Sequence, residues 1–152
     1  MADNSGFIEN NDVGFWLKQL SINIEVKHNQ VLAPHELTSS QFDVLVYLFT
    51  HQEEEVHQVD IEQATNRSNP TISGIIDRLS AKGFIKRVPG KKDKRFKQIV
   101  LTEKALEIQE VSDRGRIEQE EDLLRGFSPE ERKTLVSYLK RLNENIFREG
   151  RG

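Results

Sequence analysis

Cationic side chains are concentrated in one stretch of the sequence, residues 67–97. This stretch carries ten Lys and Arg against two Asp, a net charge of +8. Residues 1–66 carry two basic and eleven acidic side chains, a net of −9, and residues 98–152 carry ten and twelve, a net of −2. Clustered ammonium and guanidinium groups bind phosphates and other anions, although a short run of lysines can simply be a solvated loop. Ten positive charges in so short a stretch favour anion binding.

A helix-turn-helix is predicted inside and just before this basic stretch. A short helix from about residue 58 to 65 leads into Asn66, which suits the left-handed conformation of a tight turn. A second helix is predicted to begin with Asn69 as its N-cap and Pro70 as its first residue, and to end at Gly83. One buried stripe at helical spacing is expected on it: Ile72, Ile75, Ile76 and Leu79. In a helix-turn-helix the second helix enters the major groove of DNA.

A two-stranded hairpin is predicted immediately after the second helix. Residues 84–88 and 96–101 have the pattern of strands, and residues 89–95 join them through a Pro-Gly pair and four Lys or Arg. A basic hairpin in this place is typical of a wing. Either motif alone is a weak signal, because many helical proteins contain such a turn. Together, with the positive charge centred on both, they indicate a winged helix-turn-helix.

Further helices flank the motif on both sides. After a polar leader of twelve residues, a long helix is predicted to end before the first proline. Its apolar residues spread over more than one stripe, which predicts burial of two faces, one of them against a partner chain. Thr38 and Gln41 form a capping box for a mostly apolar helix, and Ser128 and Glu131 form one for an amphipathic C-terminal helix. Thr102 is expected to cap a helix that is exposed on most sides.

A family resemblance covers roughly residues 37–105. The chain is similar there to the MarR family of bacterial winged-helix transcriptional regulators, through the stretch LTSSQFDVLVYLF…VHQVDIEQATNRSNPTISGIIDRLSAKGFIKRVPGKKDKRFKQIVLT. Its densest motifs are NPTISGIIDRLSAKGFI and KKDKRFKQIVLT. The resemblance implies a mostly α-helical fold with a small β-hairpin wing. Residues 37–102 would form the winged helix-turn-helix domain, and residues 1–36 and 103–152 would supply the dimerisation helices of a homodimer.

The resemblance also implies which residues contact double-stranded DNA. Residues 69–83 would enter a major groove and the wing tip the adjacent minor groove. The candidates at the start of the recognition helix and for base readout are Ser68, Asn69, Pro70, Thr71, Ser73, Gly74, Asp77 and Arg78. The candidates for neutralising phosphate are Lys82, Lys86, Arg87, Lys91, Lys92, Lys94 and Lys97. A surface ion pair is the alternative interpretation of Asp77 and Arg78.

Asp93 and Arg95 match the family's wing motif, in which the arginine enters the minor groove and the aspartate helps to position it. A planar guanidinium suits a narrow, strongly negative groove. The alternative is an ordinary charged turn. The chain departs from the family pattern at Glu36 and Ala105, where glycine is common, and at Glu62, where a small alanine often packs between the two helices. None of these three positions is expected at the DNA surface.

Other functions find little support in the sequence. The absence of cysteine excludes disulfides, thiolate catalysis and Cys-ligated zinc. No phosphate-binding loop or Gly-x-Ser-x-Gly elbow is present, so no enzymatic activity, catalytic residue or cofactor is expected. The four histidines lack ligand-like spacing, so no metal site is expected. The alternative is zinc bound by His28 or His35 together with acidic residues of the last helices.

The longest apolar run, residues 44–49, is far below the ~20 residues that span a membrane. Without a signal-like leader, the protein is predicted to be cytoplasmic.

Two alternatives to a sequence-specific regulator stay open. The acidic segments are also compatible with a winged-helix module that binds a protein, and salt-dependent DNA binding would separate the two. An architectural DNA binder would differ by its low ratio of specific to non-specific affinity. A small-molecule effector is a further candidate partner, since family members typically respond to small, often aromatic and anionic ligands. Phe15, Trp16, His28 and Phe42 are candidates to line its cleft, although all four are equally ordinary core residues.

Overall fold

The computed structural model describes residues 12–148, so most of the polar leader lies outside the described residues. Within this range the chain forms six α-helices and one antiparallel hairpin. The elements are α1 (Val13–Leu32), a 3₁₀ turn (Ala33–His35), α2 (Ser39–Thr50), α3 (Gln58–Thr65), α4 (Asn69–Ala81), β1 (Ile85–Pro89), β2 (Lys97–Leu101), α5 (Glu103–Leu123) and α6 (Pro129–Phe147). The predicted fold, mostly helical with a small hairpin, is confirmed. No helix among the described residues has the length and apolar character needed to cross a membrane.

The chain divides into two compact units, residues 1–107 and 108–152. In the first, α2, α3, α4 and the hairpin share one apolar core. Its members include Val44, Leu45, Leu48, Val56, Ile61, Ile72, Ile75, Ile76, Leu79, Phe84, Ile85 and Ile99. The predicted stripe of α4 is therefore buried in full. Burial of one such side chain is worth roughly 1.5–3 kcal/mol, so the core fixes α4 relative to α2 and α3.

The turns that precede α2 and α4 adopt the conformations that their sequences favour. Thr38 and Gln41 form the predicted capping box, with Thr38 Oγ1 accepting from Gln41 N at 3.3 Å and Gln41 Oε1 accepting from Thr38 N at 3.2 Å. Asn66 has φ 51°, the predicted left-handed conformation. Glu36 has φ 59°, also left-handed. This conformation accounts for the glycine that is common at position 36 in the family pattern.

One expected cap is wrong, and another differs only in detail. Helix α4 begins one residue earlier than predicted, because Ser68 is its N-cap and its carbonyl accepts from Ile72 N at 3.0 Å. Asn69 is therefore the first helical residue, and Pro70 is tolerated in the first turn because no amide hydrogen bond is lost there. Thr102 takes the expected N-cap position of α5, since its carbonyl accepts from Leu106 N at 3.2 Å, but the cap does not involve its hydroxyl. The hydroxyl donates to the carbonyl oxygens of Gly83 and Phe84 at 2.6 and 3.1 Å, since Thr102 continues the edge of the hairpin.

The hairpin is shifted slightly from its predicted bounds. Ile85 pairs with Leu101 and Pro89 with Lys97, so Pro89 belongs to β1 rather than to the loop. A proline is tolerated on this two-stranded ribbon because its missing amide leaves no ladder bond unmade at an outer edge. Val56 and His57 lie along the other side of β2, where Ile99 N donates to the Val56 carbonyl at 2.8 Å. This contact joins the loop before α3 to the wing.

The second unit buries no side chain among residues 108–148. Ser128 and Glu131 form the predicted capping box at the start of α6. Arg132 of α6 binds Glu121 of α5 through two hydrogen bonds of 2.8 and 3.1 Å. This guanidinium holds the pKa of the Glu121 carboxyl below its usual range. An apolar stripe stays open to solvent on α6: Val136, Leu139, Leu142 and Ile146.

Candidate nucleic-acid interface

The outer face of α4 carries the predicted contact residues. Its exposed members are Asn69, Pro70, Thr71, Asp77 and Arg78, and Ser73 and Gly74 are half-buried. A Cβ added to Gly74 would meet no atom within 4 Å, so packing within the chain does not require a glycine there. The face is small and polar and leaves room for another molecule to approach the helix axis closely. This agrees with a helix that enters a groove.

The start of α4 is held by polar contacts to α2 and α3. Arg67 in the turn donates to the Asp43 carboxylate at 2.8 Å, which ties the turn to α2. Asn69 Nδ2 donates to Glu62 Oε1 at 2.7 Å, which ties the first residue of α4 to α3. The hydroxyls of Ser68 and Thr71 lie 2.9 Å apart and share a hydrogen bond. Glu62 thus contacts a candidate DNA residue, contrary to the expectation that it lies away from that surface.

Asp77 and Arg78 do not form an ion pair with each other. The Asp77 carboxylate instead binds Arg87 of β1, with Oδ1 and Nη2 2.7 Å apart. Arg78 forms no ion pair within the part of the chain that the structure describes. The geometry therefore separates their roles, because Asp77 connects the recognition helix to the wing while the guanidinium of Arg78 is exposed beside it.

The wing tip presents Arg95 on a rigid carboxylate support. The Asp93 carboxylate accepts from the backbone N of Arg95 at 3.0 Å, from its Nε at 3.1 Å and from its Nη2 at 2.7 Å. These bonds hold the pKa of Asp93 below its usual range and raise that of Arg95. The Arg95 side chain is 85% exposed despite them. A guanidinium that is both oriented and solvent-exposed is available to an incoming anion.

The wing tip is also held by Glu55, which lies in the loop before α3. Its carboxylate oxygens accept from Lys91 N at 3.0 Å and Lys92 N at 3.3 Å. His57 lies 3.2 Å from the same carboxylate through Nε2, and its Nδ1 lies 2.9 Å from the Lys97 carbonyl. A Cβ at Gly90 would lie 2.5 Å from the Asp93 carbonyl, so this tight turn requires glycine. The loop before α3 is thus part of the wing's support.

The predicted phosphate-binding cations fall into two groups. Most are exposed on the hairpin: Lys86, Arg87, Lys91, Lys92, Lys94 and Lys97. Lys82, at the C-terminal end of α4, differs because its ammonium donates to the Glu36 carbonyl and, at 3.0 Å, to Gln41 Oε1. Lys82 therefore connects α4 to the start of α2.

The predicted effector-binding residues do not line the groove beside α4. An open groove of about 670 Å³ lies between α1, α2 and α4 and is lined in part by Asn29, Thr71 and Arg78. Phe15, Trp16, His28 and Phe42 are not among its lining residues. Phe15 and Trp16 contact each other edge to face, and Phe42 lies in the core. Among residues 12–148, no three His, Asp or Glu side chains are grouped to hold a metal ion.

The arrangement defines a winged helix-turn-helix protein: a capped recognition helix beside a basic hairpin. The family model for MarR matches residues 37–97. The transcriptional regulator PecS of Dickeya dadantii is 26% identical over 133 residues, 86% of this chain and 79% of PecS. YybA of Bacillus subtilis, an uncharacterized HTH-type transcriptional regulator, is 27% identical over 114 residues, 75% of each chain.

Solved structures agree with the sequence relatives. MepR of S. aureus in complex with DNA superposes with a TM-score of 0.84 at 26% identity, covering 91% of this chain and 99% of MepR. The transcription regulator MarR of Oenococcus oeni superposes with a TM-score of 0.75 at 26% identity, covering 88% and 99%. The chain thus matches the MarR family over residues 37–97 and is similar to these regulators over most of its length.

Proposed function

We propose that this protein is a transcriptional regulator that binds double-stranded DNA sequence-specifically as a homodimer and acts as a repressor. The observation that carries the proposal is the pairing, within one compact unit, of an exposed polar recognition helix with a wing whose Arg95 is oriented by Asp93. The structural relative MepR, solved in complex with DNA, supports it. The relatives are named as regulators, and we propose no catalytic activity and a cytoplasmic location.

In this function α4 lies in the major groove and the wing reaches the adjacent minor groove. Arg78 and the residues of the first turn of α4 read base edges or bind the flanking phosphates. The exposed lysines of the hairpin neutralise phosphate and contribute affinity that does not depend on sequence. Arg95 enters the minor groove, where its planar guanidinium meets the most negative potential.

The second copy of the chain covers the apolar side chains that α1 and α6 leave exposed. Trp16 and Leu20 on α1 and Leu139 and Ile146 on α6 are each more than two-fifths exposed. Such surfaces on a monomer mark interaction sites. A two-fold dimer reads a pseudo-palindrome with half-sites about one helical turn apart. A small-molecule effector would act by holding the two recognition helices at a spacing that no longer fits the operator.

The test is selection of bound sites from a random DNA library at about 50 mM and about 200 mM salt. Enrichment of one pseudo-palindrome at both salt concentrations is the expected result. Retention of all sequences alike, lost at the higher salt, would instead identify an architectural binder. Retention of no DNA at either salt would contradict the proposal and favour a module that binds another protein.

A further inference from the structure

The carboxylate of Glu62 binds a side chain at the N-terminal end of the recognition helix. Glu62 lies in α3, and its Oε1 accepts two hydrogen bonds, from Gln58 Nε2 at 2.9 Å and from Asn69 Nδ2 at 2.7 Å. Asn69 is the first residue of α4 and is exposed on the face proposed to contact DNA. Its Oδ1 forms no hydrogen bond within the described part of the chain. A surface side chain is thus anchored by one end only.

The anchor fixes which end of the Asn69 amide faces outward. An amide group can turn over and exchange the positions of its oxygen and nitrogen, but an ionised carboxylate only accepts hydrogen bonds. Only Nδ2 can therefore face Glu62. This leaves the Asn69 carbonyl oxygen and the second hydrogen on Nδ2 for a ligand. Gln58 donates to the same oxygen and holds the Glu62 side chain in place for this contact.

The outward pair, one acceptor beside one donor, matches the major-groove edge of adenine. Adenine offers the N6 amino group as a donor and N7 as an acceptor, which an oriented asparagine binds bidentately. Guanine offers two acceptors, N7 and O6, at the same edge, so Oδ1 would face an acceptor without a proton between them. Thymine presents the O4 acceptor and a methyl group, and cytosine presents a single amino donor.

We infer that Glu62 is a specificity-determining residue that acts through Asn69 and selects adenine at one position of each DNA half-site. The inference rests on the proposed function, and it assigns to this chain a role for a residue that stands where the family pattern often has alanine. Without Glu62 the Asn69 amide can turn over and exchange the positions of its oxygen and nitrogen. It then no longer distinguishes the adenine edge from other base edges. The contribution of Glu62 is thus to discrimination between bases rather than to the strength of DNA binding.

The experiment uses the full chain and duplexes carrying the site that the wild-type protein selects, with each base pair of one half-site replaced in turn. Affinities are compared by fluorescence anisotropy for the wild type, Glu62→Ala, Asn69→Ala and Glu53→Ala. Glu53→Ala removes the same charge from an exposed loop residue and is the matched control. Alanine is a good helix former, so Glu62→Ala is expected to keep α3, which circular dichroism checks.

The wild type is expected to prefer adenine about tenfold at one position, the discrimination of a bidentate contact. Both Asn69→Ala and Glu62→Ala should reduce that preference to about twofold or less, and Glu53→Ala should retain it. Retention of the adenine preference in Glu62→Ala, or a half-site in which no adenine depends on Asn69, would overturn the inference while the proposed function stands. Failure of the wild type to select any site would overturn the proposed function, and the inference with it.

Discussion

Two regions of the molecule differ in how far they bury their apolar side chains. The segment from α2 to β2 buries most of its large aliphatic residues in one core, as Leu45 and Ile76 show with no exposed surface. Helices α1 and α6 are at least as rich in such residues, yet α1 buries only Leu32 and α6 buries none. Ile146 on α6 is 76% exposed. The first region has its own apolar core, whereas α1 and α6 expose apolar surface of the kind that marks an interaction site.

Within the first region, α4 and the wing differ in a similar way. Four buried aliphatic side chains hold the recognition helix in place, and the helix cannot shift along its axis without opening a cavity in the core. The wing tip is fixed by hydrogen bonds to Glu55 and Asp93 and buries only Gly90 among residues 89–97. Hydrogen bonds to charged groups contribute about 1.5–3 kcal/mol each at most. Loss of one contact should therefore move the wing without unfolding the domain.

The largest effect is expected from a charge placed on the open stripe of α6. Leu139→Glu should abolish the dimer, because burial of an unpaired carboxylate at an interface costs about 3–5 kcal/mol. Sedimentation velocity measures the association state directly. Ser137→Glu is the matched control, because residue 137 lies on the opposite side of the helix. A Leu139→Glu variant that still sediments as a dimer would show that this stripe is not the interface.

The next largest effect is expected in the core of the first unit. Ile76→Ala should lower the free energy of unfolding by about 2–5 kcal/mol, since Ile76 is fully buried and its truncation leaves a cavity. Urea denaturation followed by circular dichroism provides the measurement. Val59→Ala, on the exposed side of α3, should change the stability by no more than about 0.5 kcal/mol. Equal losses for the two variants would contradict the assignment of the core to this face of α4.

The same contrast explains what could be predicted from the sequence. The stripe of α4, the left-handed turn at Asn66 and the capping boxes depend on residues within one or two helical turns, and these predictions are confirmed. The exposed stripe of α6 likewise follows from local periodicity. The start of α4 was missed by one residue because Ser68 and Asn69 are both good caps, and only the backbone conformation decides between them.

The contacts that could not be predicted join residues far apart in sequence. Glu55 and Lys91 are separated by 36 residues, and Lys82 and Gln41 by 41. Nothing in the local pattern distinguishes Glu55 from its acidic neighbours or Lys82 from the other basic residues. An ion pair between Asp77 and its sequence neighbour Arg78 was one alternative, whereas the fold brings Asp77 to Arg87. The partner of a charged side chain depends on which residues the folded core brings close to it, so these contacts are seen only in the structure.

Removal of a side chain at the wing tip is expected to lower the affinity for DNA rather than the stability of the fold. Arg95→Ala is expected to weaken binding to the selected DNA site by about 1–3 kcal/mol while the dimer and its unfolding stay unchanged. Fluorescence anisotropy measures the affinity. Arg125→Ala, which removes an equally exposed arginine from the loop between α5 and α6, is the control for net charge. An unchanged affinity for Arg95→Ala would remove the wing from the DNA interface.

The smallest effect concerns the titration of Asp93. Its bonds to Arg95 lower its pKa in the folded protein, so the pair stabilises the fold at neutral pH, and this contribution is lost as the pH falls through the native pKa. Both side chains lie at the surface, where screening keeps the effect on unfolding slight. Carboxyl NMR should find Asp93 titrating below an ordinary aspartate in the wild type and in Lys94→Ala, and returning upward in Arg95→Ala. If Arg95→Ala left the titration unmoved, the guanidinium would not be held by Asp93 in solution, and the wing tip would be a flexible charged turn.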